Sequence, residues 1–444
     1  MPNLEGLPSE LLLSVARYLP QSDLCSLAST CRKLLSTAED ILYETPVIGK
    51  PYSEEYQDPI AMRNRVFTFA QTLLHHPRLA SKVRVFSVSA SKGGAEFIVH
   101  PDAMSLAAGC LQEIGLHSAP WANRVGDWMR WLKAGDGVAW TGLILKIVPK
   151  LRILTIELLS DAGFTIASTY DSYNRYRCQP LEGLFRYLEK TSDSAALLPL
   201  DLTAIPGLCR LRTLYYLGYD MASSWVFLPE LQTLKIAHEC RCPDLKRAQT
   251  QNEIPSPGIN VQNVVLEAST SLLDSNTTDW CRALEDRFVS SSLYPRLREV
   301  KLYLNKQQYN PDVSFVEDEQ DSDRYHEHVD IIETSGKGHA DMLLNRMTSL
   351  SRTLTGLWIE VYKDLDASFL HYVSPFSSFC DFQALTLLSV PHQSVPAYQL
   401  LPRTLEYLKI TSHCVSVVNQ LKELRSYSKL MPRLENVALV CSES

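Results

Sequence analysis

The sequence predicts an α/β chain in which a short helical module at the N-terminus precedes a long series of parallel strands with intervening helices. Three observations carry this. Residues 7–43 place apolar side chains at helical spacing in short segments broken by proline. From about residue 80 onward, one pattern (apolar-x-x-apolar-x-apolar) returns at irregular intervals, often after a proline. At 444 residues the chain exceeds one simple core and suggests two domains or an elongated array.

In the N-terminal module, Pro8 suits the first turn of a helix, where its missing N–H costs nothing. Leu11, Leu12, Val15, Ala16, Tyr18 and Leu19 then follow at the spacing of a helix face. Pro20 stops that helix, and Ser22 is expected to cap the next. A second pattern runs through Leu24, Leu27, Ala28, Cys31, Leu34, Leu35, Ala38, Ile41 and Leu42. Three helices within about forty residues bury little core alone, and chains that small usually need a partner. Another protein is therefore expected to complete this arm.

The same residues resemble the F-box. Leu7-Pro8-x-Glu10-Leu11, Val15, Leu19, Asp23-Leu24, Leu27 and Cys31-Arg32-x-Leu34 stand in the family's order, over residues 4–48. The resemblance implies docking on the Skp-type adaptor of a cullin-based (SCF) ubiquitin ligase. It puts Leu7, Pro8, Leu11, Val15, Leu24, Leu27 and Leu35 on or behind the docking face. The alternative is an ordinary helical hairpin packed on the rest of the chain. Residues 49–78 read as a linker and connecting helix that ends at His75-His76-Pro77, where imidazole favours the helix dipole's negative end.

Residues 79–444 carry the repeat. Its clearest copies begin at Leu151, Leu211, Leu231, Val261, Leu297, Leu354, Phe382, Leu405 and Leu434, with a weaker first copy at Ala80-x-x-Val83-x-Val85. Alternation over the last positions indicates a short strand with one buried face. Between copies lie stretches with helical spacing: Val138–Val148, Leu181–Leu188, and the segment with Met342, Leu343 and Met347. A strand and helix repeated in this way bury their apolar faces only by stacking on neighbours. The pattern resembles degenerate leucine-rich repeats, which implies an irregular solenoid. The family's asparagine is matched clearly only by Asn305, so a regular asparagine ladder is not expected. A series of βα units in an ordinary α/β sheet is the alternative, although no Gly-x-Gly-x-x-Gly follows any strand.

Composition narrows the functional classes. A net charge of −7 argues against a nucleic-acid binder that relies on phosphate contacts. The most apolar stretch, Val138–Val148, is too short to span a bilayer and contains Lys146. Eleven cysteines without framework spacing point to reduced thiols in the cytoplasm or nucleus. Residues 310–337 are acidic and read as a solvated loop, with further polar stretches at 241–257 and 51–59. No catalytic elbow, phosphate loop or His-Glu-x-x-His is present, and Gly336-Lys337-Gly338 lacks the flanking Gly and hydroxyl. His238, Cys240 and Cys242 are too tightly spaced for a standard zinc site; His326 and His328 read as solvated. No cofactor or metal is expected.

What remains is recognition. The water-facing strand positions include Tyr215, Lys235, Lys301, Tyr303, Trp358 and Lys409, an aromatic and cationic set suited to binding a protein target. Its lysines favour an acidic or phosphorylated ligand. Taken with the F-box resemblance, this predicts a non-enzymatic substrate receptor of an SCF-type ligase. A scaffold whose F-box joins another assembly without ubiquitin transfer is the alternative.

Overall fold

A computed structural model describes residues 6–49, 59–91, 101–117, 119–159, 184–185, 202–216, 223–236, 259–269, 294–305, 338–361, 373–412, 422, 424–427, 429 and 431–441. These fall into two compact units, Met1–Leu231 and Gln232–Ser444. The acidic run at 310–337, the polar stretch at 241–257, residues 51–58, His238, Cys240, Cys242, His326 and His328 lie outside the described residues, as does most of 181–188.

The first unit opens with three helices, α1 (Ser9–Ala16), α2 (Gln21–Ala28) and α3 (Arg32–Leu42). Pro8 sits one residue before α1, and its carbonyl accepts from the amides of Leu11 and Leu12, both at 3.1 Å. Ser22 is not the cap of α2. Pro20 holds that place, its carbonyl accepting from Asp23 and Leu24 at 3.0 Å, and Ser22 lies inside the helix. Pro20 offers no side-chain acceptor, so the first amides of α2 have no side-chain cap. Ala16, Leu24 and Ile41 form the small core between the three helices, with Leu13, Leu19, Leu27 and Leu42 packed around it.

Strand β1 (Val47–Ile48) leads directly from α3 into the sheet. It pairs in parallel with β2 (Val85–Ser91), and β2 with β3 (Ile153–Leu159), which pairs with β4 (Thr213–Tyr216). Phe86, Leu154 and Leu214 lie in one register row, all fully buried. The first copy of the repeat is therefore Val83-x-x-Phe86-x-Val88, three residues later than the expected Ala80-x-x-Val83-x-Val85. Val85 occupies the half-buried outer row, because period-two alternation fits either frame and only pairing with the neighbour selects one.

Helix α4 (Pro59–His75) buries Met62, Val66, Ala70, Leu73 and Leu74 at helical spacing. A short helix, α5 (Pro77–Ala80), follows it. Two further helices, α6 (Pro101–His117) and α7 (Ala119–Lys133), fill an interval where no strand motif was read. Gly135, with φ 72°, follows α7 in the left-handed region that glycine tolerates without strain. Asp136 then caps α8 (Gly137–Ile147), its carboxylate accepting from the Ala139 amide at 2.8 Å. Indole hydrogen bonds link α7 and α8: Trp128 donates to the Ala139 carbonyl at 3.0 Å, and Trp140 to that of Leu132 at 3.1 Å. Gly207, in α9 (Pro206–Cys209), lies so close to the Leu145 carbonyl that a Cβ would clash.

Three ties join the N-terminal helices to the remainder of this unit. Tyr43 stacks on Phe69, and Phe69 on Phe86, at centroid distances of 6.0 and 5.8 Å. Lys82 pairs with Asp40, and Arg84 with Glu44. The backbone of Glu44 also accepts from Arg84 and Val85. Burial first, then Glu39 and Cys25, raises the Tyr43 phenol above its ordinary value.

In the second unit seven strands lie side by side in chain order, all parallel: β5 (Thr233–Ile236), β6 (Asn263–Ser269), β7 (Glu299–Asn305), β9 (Gly356–Val361), β11 (Leu387–Pro391), β12 (Tyr407–Ser412) and β13 (Asn436–Cys441). Strands β8 (Gly338–His339) and β10 (Val373–Ser374) form a separate parallel pair, and α10 (Asp341–Met347) follows β8. Leu234, Val264, Val300, Leu357, Leu388 and Leu408 share one buried row. Here too one copy shifts by three: Leu388 rather than Leu385 aligns with Leu408, so the repeat is Leu385-x-x-Leu388-x-Val390, and Leu387 joins the outer row.

Candidate functional site

The sequence fold places apolar side chains outward on the N-terminal helices. Of the apolar run in α1, Leu12 and Ala16 turn inward at 3% and 1% exposure, while Leu11 and Val15 remain 52% and 49% exposed. Tyr18, just past the helix, is 90% exposed. Pro8, Leu11, Val15 and Tyr18 recur at intervals of three and four, so they lie along one stripe. Leu35 of α3 is also exposed, Leu7 and Leu27 are half-buried, and Leu24 is a core residue behind the surface. Sequence reasoning counted Tyr18 among the helix-face residues but not among the docking residues. Its interval of seven from Leu11 was the available signal.

Exposed large apolar side chains that cluster on a small domain mark interaction sites. Glu10 and Asp23 lie in the first turns of α1 and α2, where carboxylates favour the helix dipole.

The second candidate surface is the outer face of the strands. Tyr215 belongs to the first unit, opposite Thr155; the other five sequence-predicted residues belong to the second. There Lys235, Val265, Lys301, Trp358, Ser389 and Lys409 form one row across six strands. Tyr303 pairs in register with Glu360 in the next row. The Lys301 ammonium sits over the Trp358 ring, 4.2 Å from its centroid, a cation–π arrangement. Lys409 contacts the Glu360 carboxylate at 2.8 Å, and Ser389 donates to the same carboxylate oxygen at 3.4 Å. Glu360, a water-facing strand position outside the sequence-predicted aromatic and cationic set, is thus the organising group. The first unit repeats the motif with Ser89 donating to Glu157 at 2.8 Å.

Lys409 consequently has its charge matched within the sheet. Both members of the Lys409–Glu360 pair are about a quarter exposed, so their coupling should exceed that of a fully solvated pair. In a double-mutant cycle with Lys409→Met and Glu360→Gln, a coupling of about 1 kcal/mol is expected from denaturant midpoints. Additive single mutants would show that the contact contributes nothing.

Burial, then Glu113, raises the Cys110 thiol, which leaves it protonated and unactivated. Among the described residues no group of His, Cys, Asp and Glu is placed to hold a metal ion, and no helix is long and apolar enough to cross a membrane.

Comparison with known families bears on the N-terminal segment. The F-box-like family model matches residues 4–48, the segment that contains α1 to β1. Domains of that kind generally bind Skp-type adaptors, which suggests an SCF-type adaptor role in general terms. No curated protein matches the chain.

Proposed function

We propose, from the F-box-like domain at residues 4–48, that this chain is a non-catalytic substrate-recognition subunit of an SCF-type ubiquitin ligase. The exposed stripe of Pro8, Leu11, Val15 and Tyr18, with Leu35, carries this reading: it is an apolar surface with no partner inside its own module. The stripe docks on the Skp-type adaptor and, through it, on a cullin. Residues 49–78 connect the domain to residues 79–444, a degenerate leucine-rich-repeat-like solenoid whose sequence carries an acidic run at about 310–337. Parallel strands that follow chain order within each unit support that architecture. The solenoid holds a protein target on its outer strand face, through Tyr215, Lys235, Lys301, Tyr303, Trp358 and Lys409. The chain works in the cytoplasm or nucleus.

Such a receptor acts through proximity, raising the effective concentration of a target lysine near the charged conjugating enzyme. The ties between the N-terminal helices and the first strands suit that task, because they fix where the docking module ends and the repeats begin. Affinity capture of the full chain tests the assignment: adaptor and cullin should be recovered together. Recovery of the adaptor without cullin would replace the ligase role by a scaffold role, and recovery of neither would overturn the docking assignment.

A further inference from the structure

The first unit carries a basic edge, and only its Lys82 and Arg84 end is taken up by the ties to the docking helices. Three consecutive strands are entered through the same short motif: Lys82-Val83-Arg84, Lys150-Leu151-Arg152 and Arg210-Leu211-Arg212. In each, the central residue is fully buried and the flanking cations reach solvent. The backbone fixes the alignment. The Arg84 carbonyl accepts from the Arg152 amide at 2.7 Å, and the Arg152 carbonyl from the Arg212 amide at 2.8 Å. Arg84, Arg152 and Arg212 therefore stand in register along one end of the sheet, on strands spaced about 4.8 Å apart, with Lys82, Lys150 and Arg210 two residues before them in the chain.

Their neutralisation is incomplete. Asp40 pairs with Lys82, Glu44 with Arg84, and Glu230 with Arg212. Lys150, Arg152 and Arg210 are exposed and form no ion pair among the described residues. Like charges in register repel one another, and the chain as a whole carries −7. In the second unit Arg296-Leu297-Arg298 repeats the motif once, but the positions equivalent to Arg84, Arg152 and Arg212 on the other strands are Gln232, Gln262, Thr355, Thr386, Glu406 and Glu435, so no cationic row runs over adjacent strands there. Repetition of a costly arrangement three times in one place calls for a ligand that relieves it.

We propose that this edge, centred on Lys150, Arg152 and Arg210, docks an acidic polypeptide segment whose Asp and Glu carboxylates pair with these exposed cations. Guanidinium forks match carboxylates bidentately, and a short extended segment covers the entries of the two adjacent strands, β3 and β4, that carry these three cations. Polypeptide carboxylates suit the edge better than a nucleic-acid backbone. Asp40, Glu44 and Glu230 interrupt the row, and the chain's negative net charge opposes a dense polyanion. The inference stands apart from the ligase reading, since it concerns a different surface and needs no adaptor.

The test uses the full chain and a fluorescein-labelled octapeptide of glutamate and aspartate, read by fluorescence polarisation. Binding is expected, weakening steeply between low and physiological salt. Lys150→Glu with Arg152→Glu and Arg210→Glu should lower affinity by about tenfold or more, with unchanged circular dichroism because the three side chains are exposed. A milder variant, Arg152→Gln with Arg210→Gln, should give an intermediate loss. A control with the same charge change in the second unit, Arg352→Glu with Arg403→Glu and Arg433→Glu, should lose less than about threefold. No binding of the peptide, an equal loss in the control, or tighter binding of a single-stranded oligonucleotide or a phosphoserine peptide of equal charge would each overturn the proposal.

Discussion

Replacing Leu11 and Val15 together by glutamate is expected to abolish capture of the Skp-type adaptor while the chain remains folded. Both side chains are about half exposed, so the substitutions remove little from the native core. Surface changes away from packed features usually stay within about 0.5 kcal/mol of neutral. At an interface the same two residues would lie at the centre of an apolar contact, where buried charge is costly and anchors carry most of the energy. A loss of at least about 3 kcal/mol, more than a hundredfold in affinity, follows. Leu24→Ala makes the opposite comparison. Leu24 is 4% exposed within the small helical core, so its truncation should lower helicity and melting temperature, and reduce capture only as the module unfolds. Tyr18→Ala should sit with the surface class, since 90% of that side chain is exposed. Wild-type capture by the Leu11/Val15 double variant would remove the docking surface from this stripe.

This contrast shows what the sequence reveals and what it does not. Helical spacing finds Leu11, Leu12, Val15, Ala16, Tyr18 and Leu19 together, because both apolar stripes of α1 obey it. Only the packing of α2 and α3 decides that Leu12 and Ala16 face inward and that Leu11, Val15 and Tyr18 do not. The strands are legible for a similar reason. Period-two alternation marks β3, β4, β5, β6, β7, β9, β12 and β13 at the residues where they form. The frame slips by three at Phe86 and Leu388, where apolar residues on both sides satisfy the motif and only pairing with the neighbouring strand chooses. Helices α6 and α7 went unread because they fall between repeats, and their burial depends on tertiary contacts such as the Trp128 hydrogen bond to Ala139. Among the candidate site residues, the outer-face positions follow from alternation alone. The Lys301–Trp358 and Lys409–Glu360 contacts require the order of the strands, which no local pattern supplies.

Truncating one buried leucine in each unit should destabilise that unit first. Leu154 lies between Phe86 and Leu214 in the first unit, and Leu408 between Leu388 and Val437 in the second; both leucines are fully buried. Each Leu→Ala change opens a cavity and is expected to cost roughly 2–5 kcal/mol. If the strands stack as repeats, each side chain contacts its neighbours in the row and little else, so the cost propagates only as far as nearest-neighbour coupling carries it. Native-state hydrogen exchange then has a definite form. With Leu408→Ala, amides of β11, β12 and β13 should exchange faster, and those of β2 and β3 should keep wild-type rates. Leu154→Ala should give the reverse pattern. The thermal transition of either variant should broaden or split, because one part melts before the other. Uniform acceleration across both units by a single variant, with one sharp transition, would mean that the chain unfolds as one cooperative sheet. The nearest-neighbour account of its stability, and the stacked-repeat architecture with it, would then be wrong.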